Sequence, residues 1–395
     1  MTEKTVQYIH NIPVWGEPIQ EALNQIQNCS KNADYCALMA DHHPGYAVPI
    51  GGVVAYRHKI SPSGVGYDIA CGNKAVRLDV SAKDVRRNIK NIMDDIYQII
   101  SFGVGMKNNE SVDHPLFHND PAWNIDVTKQ LKLKKLAQEQ LGTVGSGNHY
   151  IDIFVDEQDR VWIGVHFGSR GLGHRLATHF IKAGGGRDGM NVDPVLLDIK
   201  SNLGQEYIAC MKLAGRYAYA GRDWVCQRVA KIIGGKILEE IHNHHNYAWQ
   251  EEHDGQSFWV IRKGATPAFA GQKGFVGGSM GDVSVIIEGI DSAESQKSLY
   301  STVHGAGRVM SRTAAAGRVF RRKRTGGQIS RQMMMNWIRE QGVELRGAGT
   351  DESPHCYKRL PEVLAYHKNT IKILHTLQPI GVAMAGEDEL DPYKD

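Results

Sequence analysis

The sequence lacks several features that would assign it to a special class of protein. Its apolar runs fall short of the roughly 18 consecutive residues that a membrane-spanning helix needs, so we expect no membrane contact. The N-terminus has an early acid and no apolar core of a secretory signal, which favours a cytoplasmic protein. Repeats, low-complexity tracts and long linkers are also missing, and a 42% hydrophobic, 23% charged composition is ordinarily globular. We therefore expect one domain over residues 1–395, with 387–395 forming an acidic tail.

Cysteine is scarce and shows no framework spacing. The six cysteines are scattered along the chain, and without an export signal we interpret them as reduced thiols. They are Cys29, Cys36, Cys71, Cys210, Cys226 and Cys356. This argues against a secreted fold that depends on disulfides.

Acidic residues are missing from one long segment. From Ser295 to Arg339 there is no Asp or Glu, but there are ten cations. They are Lys297, Arg308, Arg312, Arg318, Arg321, Arg322, Lys323, Arg324, Arg331 and Arg339. A basic stretch suits a polyphosphate partner, because each neutralised phosphate releases condensed counterions. A solvated basic face balanced by acids elsewhere explains the stretch equally well.

Hydrophobic periodicity predicts a mixture of helices and strands. Apolar residues spaced three and four apart predict helices over 82–101, 196–217, 222–242 and 361–377. Alternation and β-branching predict strands over 149–155, 160–166, 258–262 and 283–287. The mixture indicates an α/β or α+β fold.

Glycine, by contrast, is abundant, and many of the 43 glycines lie in distinct loops. Glycine allows a positive φ and a close backbone approach, so such loops commonly bind phosphate through their amides. None matches the P-loop pattern GxxxxGK[ST], and none is a convincing dinucleotide-binding GxGxxG. Tight turns would also explain the glycines, but almost every loop carries or adjoins a His, Asp or Cys.

Five side chains in or beside these loops have the chemistry of metal ligands. They are Asp68, Cys71, His149, His166 and His245. They suffice for two ions if one ligand bridges, and the Cys71 sulfur is the natural bridge because it has two usable lone pairs. Each also has an ordinary interpretation as a buried cysteine or a hydrogen-bonded core histidine, and the spacing forms no short metal motif. The neighbouring His242 and His244 are predicted to be exposed at a helix end.

His304 is a candidate nucleophile between the segments LYSTV and GAGR. A histidine flanked by small residues and arginines is placed to attack phosphorus, and the resulting P–N bond is energetic enough to pass the group onward. Arg308 and Arg312 would stabilise the displaced phosphates. A histidine hydrogen-bonded in a turn is the alternative, which the local sequence alone favours.

Eight segments, taken in order, resemble the signature segments of the RtcB family of RNA ligases. They are ADHHPGYAVPIGG, SPSGVGYDIACG, GSGNHYID, HFGSRGLG, HHNY, RKGA, GGSMG and HGAGRVMSR, and the resemblance runs from about residue 35 to residue 386. It implies a single-domain α/β fold with a central β core surrounded by helices and glycine-rich active-site loops. It also implies two Mn²⁺ ions bridged by Cys71, one completed by Asp68 and His149, the other by His166 and His245.

The resemblance also implies roles for residues around His304. His304 would receive GMP from GTP, and the Asp41 carboxylate would orient its imidazole. Nucleotide contacts are implied for Asn148, Asp152, Gly278, Ser279, Gly305, Gly307 and Tyr357. Contacts to RNA are implied for Arg170, Arg308 and Arg312.

The implied reaction joins an RNA 3′-phosphate or 2′,3′-cyclic phosphate end to a 5′-hydroxyl end, as in tRNA splicing and RNA repair. It passes through a histidine–GMP adduct and an RNA–ppG end, and an archease-type activator is a candidate partner. One alternative is a dinuclear RNA phosphohydrolase or cyclic phosphodiesterase, which needs the metals but not His304. A non-catalytic RNA-binding module built on residues 295–339 is another, which leaves the ligand-bearing loops unexplained.

The sequence departs from the family pattern in two places. Met384 and Ala385 stand where family members usually carry a lysine that contacts guanine, so guanine selectivity is in question. Asp152 stands where glutamate is common, and its side chain is one methylene shorter. Because neither change affects the metal ligands or His304, we expect a divergent paralogue.

Overall fold

A computed structural model describes residues 6–320 and 323–387. Its helices are α1 (Gln20–Ser30), α2 (Pro62–Val65), α3 (Ala82–Ile99), α4 (Leu116–Asn119), α5 (Asp126–Gln130), α6 (Leu133–Gln140), α7 (Arg170–Ala183), α8 (Asn202–Ile233), α9 (Ala293–Lys297), α10 (Arg312–Ala316), α11 (Arg331–Glu340) and α12 (Leu360–Leu364). Its strands are β1 (Gln7–Ile9), β2 (Ile12–Val14), β3 (Tyr35–His43), β4 (Ile50–Tyr56), β5 (Lys59–Ile60), β6 (Gly72–Ser81), β7 (Tyr150–Asp156), β8 (Arg160–Phe167), β9 (Leu197–Asp198), β10 (Ile237–His244), β11 (Asn246–His253), β12 (Gln256–Lys263), β13 (Ala265–Pro267), β14 (Lys273–Val276), β15 (Ser284–Gly289), β16 (Ser301–Val303), β17 (Arg318–Phe320), β18 (Lys323–Thr325), β19 (Glu344–Ala348) and β20 (Ile371–Gly386).

Two sheets form the centre of the fold. One has the strand order β1-β2-β3-β4-β12-β11. The other has the order β10-β6-β8-β7-β20-β15-β14, and β19 pairs parallel to β20 at its side. Most pairings are antiparallel. The combination of these sheets with helices confirms the predicted α/β or α+β class.

Four neighbouring strands of the larger sheet each have one terminus at the same edge of that sheet. Asn73 of β6 lies opposite His166 of β8, and Tyr150, where β7 begins, lies opposite the same histidine. His244, where β10 ends, lies opposite Gly72. Because neighbouring strands are about 4.8 Å apart, residues far apart in sequence come together at this edge.

Two long helices cover one face of that sheet. Ile92 of α3 and Val225 of α8 belong to the same apolar core as Ile163 of β8. Ser201 caps the first turn of α8 through its side chain, and Gly234 ends the helix with a φ of 82°. The helices thus bury the sheet face behind the shared strand ends.

The structure confirms the predictions of α3, β7, β8, β12 and β15 and corrects the other helices. Segments 196–217 and 222–242 were predicted as two helices, but one helix, α8, runs through most of both and ends at Ile233. Its buried face continues between the two segments, so nothing interrupts it. Residues 237–244 instead form β10, because they pair with β6.

The predicted helix over 361–377 is also wrong. Helix α12 ends at Leu364, and the chain from Ile371 onward forms β20. This strand pairs with β7 on one side and β15 on the other. Short apolar runs fit both the helical and the strand periodicity. Here, pairing with two partner strands makes the segment a strand.

The remaining expectations concern the membrane and the tail. None of the helices within residues 6–320 and 323–387 has the length and apolar character needed to cross a membrane. The predicted acidic tail lies outside the described residues except for Glu387, which pairs with Arg331 at 3.0 Å. That residues 1–395 form a single domain stays a prediction.

Candidate active site

The five predicted metal ligands come together in two overlapping groups. One group is Asp68, Cys71 and His149, and the other is Cys71, His166 and His245. Within each group the ligand atoms lie within 4.8 Å of one another. Cys71 Sγ is 3.1 Å from His166 Nε2 and 3.6 Å from His149 Nε2. The predicted convergence on Cys71 is therefore observed.

The shared strand ends position these side chains. Cys71 directly precedes β6, His149 directly precedes β7, and His245 directly follows β10, while His166 lies in β8. The backbone is tied at the same point, since the His245 amide donates to the Cys71 carbonyl at 2.8 Å. Ala70, just before the cysteine, has a φ of 61°, a left-handed conformation that turns the chain into the site.

Burial and neighbouring charge set the protonation of the candidate ligands. Burial, followed by the charge of nearby histidines, lowers the pKa of His166 and His245 well below the ordinary value. Neutral imidazole is the form that binds metals. Burial raises the pKa of Asp68, but a hydrogen bond from His149 and its charge outweigh burial and bring that pKa to about 2. Burial and the Asp68 carboxylate raise the pKa of the Cys71 thiol well above its ordinary value.

The donors fit a pair of divalent cations. The Nδ1 atom of His245 is buried, and no atom of residues 6–320 or 323–387 hydrogen-bonds to it. Ligand atoms within 4.8 Å of one another suit a common ion, because metal–ligand bonds are about 2.0–2.3 Å long. Thiolate and imidazole favour zinc over manganese, so the donor set alone does not select manganese.

His304 and Asp41 form a second unit beside the ligand groups. The ring centroid of His304 is 4.9 Å from that of His245. Asp41 Oδ2 accepts a hydrogen bond from His304 Nδ1 at 2.6 Å, and it also accepts from the backbone amides of His304 and Gly305. Asp41 is fully buried, which raises its pKa, but the charge and hydrogen bonds of His304 lower it overall. The carboxylate thus holds the proton on Nδ1 and leaves the ring lone pair on Nε2.

A lysine and a histidine support the segment that carries Asp41. Lys358 Nζ donates to the carbonyl oxygens on either side of it, at 3.0 Å to Ala40 and 3.4 Å to His42. His367 Nε2 accepts from the Ala40 amide at 3.2 Å. The carboxylate is therefore held by its backbone as well as by its own hydrogen bonds.

A cleft of about 690 Å³, open to solvent, lies beside His304. The predicted site residues on its walls are Asn148, Asp152, His166, Gly278, Ser279, His304, Gly305, Gly307, Arg308 and Tyr357. The Ser279 hydroxyl is buried there, and no hydrogen bond to it exists within the described part of the chain. A buried hydroxyl of this kind is expected where a ligand supplies the partner.

Comparison with known proteins agrees with this geometry. Residues 22–385 match the sequence model of the family described as tRNA-splicing ligase RtcB. The chain belongs to the RtcB family. It is 30% identical to the RNA-splicing ligase RtcB of Escherichia coli strain K12, with 94% of this chain and 97% of that protein covered. The tRNA-splicing ligases RtcB of Thermococcus kodakarensis and Archaeoglobus fulgidus are 29% and 30% identical over 88% of this chain, and 87% and 86% of their own chains are covered.

Glu352 is the main residue of this RtcB-type cleft that sequence reasoning did not assign. Its carboxylate accepts from the Tyr357 hydroxyl and pairs with Arg308 at 3.3 Å and Arg312 at 3.1 Å. The acid-free segment that contains both arginines is thus neutralised locally by an acid outside it. Glu352 follows Gly347 and Gly349, and its position five residues before Tyr357 was the signal available in the sequence.

His43 is a second residue that sequence reasoning left unassigned, although it belongs to the ADHHPG segment. Its Nδ1 donates to the Asp41 carbonyl at 3.0 Å, and it lines the cleft. Burial lowers its pKa to about 3, so the ring is neutral and its second nitrogen can accept a hydrogen bond. Its position two residues after Asp41 was the signal available in the sequence.

The predicted RNA-binding arginines are engaged with the protein itself. Arg170 donates to Thr143 Oγ1 at 3.1 Å and to the Gly103 carbonyl at 2.6 Å. Arg312 and Arg170 are not among the residues that line the cleft, whereas Arg308 is. Of the other cations in the basic stretch, Arg321 and Arg322 lie outside the described residues. Contact of these arginines with RNA stays a prediction.

The prediction that His242 and His244 are exposed at a helix end is wrong. Both lie in β10, and His244 is buried while His242 is half-buried. Arg222 donates to His242 Nε2 at 2.7 Å and to His244 Nδ1 at 2.9 Å. Burial and then the charge of Arg222 lower the pKa of both histidines, so both are neutral acceptors. The error follows from the helix prediction, because α8 ends at Ile233, before these residues.

The turn after His304 packs on Asp41 and can be tested by substitution. Gly307 has a φ of 77°, and an added Cβ would lie 2.2 Å from the Asp41 carbonyl oxygen. Gly271 has a nearly equal φ of 76° but nothing within 4 Å of an added Cβ, so it is a matched control. Gly271→Ala should lower the free energy of unfolding by about 1–2 kcal/mol, the cost of a left-handed alanine. Gly307→Ala should lower the free energy of unfolding by about 1–3 kcal/mol more, because the added Cβ clashes with the Asp41 carbonyl oxygen. Equal losses in urea titrations would contradict this packing.

Proposed function

We propose that this chain joins RNA ends by charging His304 with GMP and passing that nucleotide to RNA. Membership of the RtcB family makes it an RNA ligase. The finer proposal rests on the Asp41–His304 pair, in which a 2.6 Å hydrogen bond at Nδ1 leaves Nε2 to attack phosphorus. A histidine that served only to stabilise a turn would not need a buried carboxylate or a place beside His245.

The proposed reaction consists of three transfers. His304 Nε2 forms a bond to the α-phosphorus of GTP as the bond to pyrophosphate breaks. An oxygen of the RNA 3′-phosphate then attacks this phosphorus, so that the P–N bond breaks and RNA–ppG forms. Finally the 5′-hydroxyl of the second RNA attacks the former 3′-phosphate, GMP leaves, and a phosphodiester remains. A 2′,3′-cyclic phosphate end would first be opened by water.

Repulsion between phosphates is the main barrier that the site must lower. Two divalent cations, Mn²⁺ by family resemblance, would be held by the two ligand groups that share Cys71 and would neutralise phosphate charge when bound. Asp41 would keep His304 in its nucleophilic tautomer throughout. The Ser279 hydroxyl, which makes no hydrogen bond within the described residues, is available to donate to a phosphate oxygen.

The remaining proposed contacts are with the nucleotide or with RNA. Nucleotide contacts are proposed for Asn148, Asp152, Gly278, Ser279, Gly305, Gly307 and Tyr357. Contacts to RNA ends that carry 3′-phosphate, cyclic phosphate or 5′-hydroxyl are proposed for Arg170, Arg308 and Arg312. An archease-type activator and a cytoplasmic location stay predictions of the sequence.

Adduct formation tests the nucleophile directly. With Mn²⁺ and GTP labelled at the α-phosphate, the wild-type chain should acquire an acid-labile covalent label. His304→Ala should acquire none, and Asp41→Asn should be labelled about 10²–10⁴-fold more slowly because the tautomer is no longer held. His118→Ala is a control, since that side chain is 59% exposed and pairs only with the surface residue Asp113.

The same experiment separates ligation from hydrolysis. A wild-type chain that forms no adduct, yet releases phosphate from RNA ends when metal is present, would instead support the phosphohydrolase alternative. That outcome would remove His304 from the proposed mechanism. It would leave the two metal-ligand groups unaffected.

Metal stoichiometry tests the bridging position of Cys71. We expect the wild-type chain to retain two equivalents of Mn²⁺. His245→Ala should retain about one, because His245 belongs to only one of the two ligand groups. Cys71→Ala should retain neither ion tightly, because it removes a ligand from both groups. Equilibrium dialysis with elemental analysis measures the equivalents, and two equivalents bound to Cys71→Ala would refute the bridge.

Nucleotide competition tests base selectivity. Met384 is buried in the cleft wall, and burial raises the pKa of Asp152 well above its ordinary value. A wall that has a methionine in place of a lysine offers guanine no charged contact there, so it distinguishes guanine from adenine poorly. We expect unlabelled ATP to compete with GTP for adduct formation within about tenfold, a difference near 1.4 kcal/mol. Met384→Lys should widen the preference for GTP, and labelling of the wild type that ATP cannot reduce would contradict this expectation.

A further inference from the structure

One buried side chain outside the ligand groups contacts three of the segments that carry ligands. Arg222, in the middle of α8, is fully buried. Its Nη1 donates to the carbonyl oxygens of Ala70, at 3.1 Å, and Phe167, and its Nη2 donates to His244 Nδ1 at 2.9 Å. The Nε–H is also used, because it donates to His242.

Each of the first three acceptors is next in sequence to a candidate metal ligand. Ala70 directly precedes Cys71, Phe167 directly follows His166, and His244 directly precedes His245. One guanidinium group therefore ties together the strand ends of β6, β8 and β10. The planar fork of arginine directs several donors in fixed directions from one point, which the single ammonium group of lysine does not do.

An ion-paired carboxylate does not explain why a cation occupies this position. Among the ion pairs of residues 6–320 and 323–387, none joins Arg222 to a carboxylate. A positive charge this close to two divalent cations would also oppose their binding. Burying such a group is costly unless its donors are used, and here they are used on backbone and histidine acceptors. The geometry of its hydrogen bonds therefore accounts for the buried position of Arg222.

We propose that Arg222 is a positioning residue that holds Cys71, His166 and His245 at the separation needed to bind metal. It acts through the backbone carbonyls of Ala70 and Phe167 and through the side chain of His244, which are the chain neighbours of these three residues. The proposal rests on the proposed function only in requiring that the two ligand groups bind divalent cations.

Cobalt binding to the full-length chain tests this role without reference to ligation. Co²⁺ bound to a thiolate gives a near-ultraviolet charge-transfer band, so titration reports both affinity and the Cys71 bond. We expect Arg222→Lys and Arg222→Gln to bind Co²⁺ about 10–100-fold more weakly, the usual loss when groups that orient metal ligands are changed. Because the glutamine variant removes the charge, tighter binding by it would show that charge matters more than geometry and would overturn the proposal.

Arg262→Lys is the matched control. Arg262 is also fully buried, and it pairs with Glu251 at 2.6 Å and donates to Ser301 Oγ at 2.7 Å and the Leu299 carbonyl at 2.8 Å, away from the ligand groups. This variant should lose stability in urea but keep the cobalt affinity and the charge-transfer band of the wild type. A merely structural role for Arg222 predicts that cobalt affinity falls equally in Arg222→Lys and Arg262→Lys, and that result would refute the proposal.

A second variant serves if changes at Arg222 prevent folding. His244→Phe removes one acceptor of the guanidinium group but keeps a ring between those of Tyr219 and Tyr247, at 4.0 and 5.1 Å in the wild type. It should fold and bind Co²⁺ several-fold more weakly, whereas unchanged affinity would count against the positioning role. If the wild type itself binds no Co²⁺, the proposed metal site fails together with this inference. If the wild type binds and the Arg222 variants bind equally well, only the inference fails.

Discussion

The sulfur of Cys71 lies where four strand ends of one sheet meet, and the rest of the site depends on that meeting. The order β10-β6-β8-β7 places the segments carrying Cys71, His149, His166 and His245 side by side. A shift of one residue in any of these registers would turn a ligand to the other face of the sheet. The candidate metal site therefore depends on the registers of these strands more than on any single loop.

A buried arginine and a half-buried lysine hold the backbone of the site. Arg222 donates to carbonyl oxygens beside Cys71 and His166, and Lys358 donates to the carbonyl oxygens on both sides of Asp41. In both cases the charged group acts on the neighbours of a functional residue and leaves its side chain available. A site that must bring phosphates together benefits from such support, because small displacements of its groups reduce catalysis strongly.

The cleft combines polar and apolar walls. Near His304 it is highly constrained, with hydrogen bonds to Asp41 from one ring nitrogen and two amides. Met384 and Asp152 are buried in its walls, and burial raises the pKa of Asp152. These departures from the family pattern change neither the candidate metal ligands nor His304. Divergence there is compatible with an unchanged phosphorus chemistry.

The sequence alone determined the fold class, one helix and four strands, because those elements follow from local periodicity. It also determined which residue types carry the chemistry, since the ligand and His304 segments form an ordered set of motifs. Tertiary structure alone decided that α8 is one helix, that residues 371–386 are a strand, and that His244 is buried. It also decided that Arg222 contacts three ligand-bearing segments and that Glu352 pairs with Arg308 and Arg312. These outcomes depend on contacts between residues that are far apart in sequence. Such contacts form only in the folded chain, so the local sequence does not indicate them.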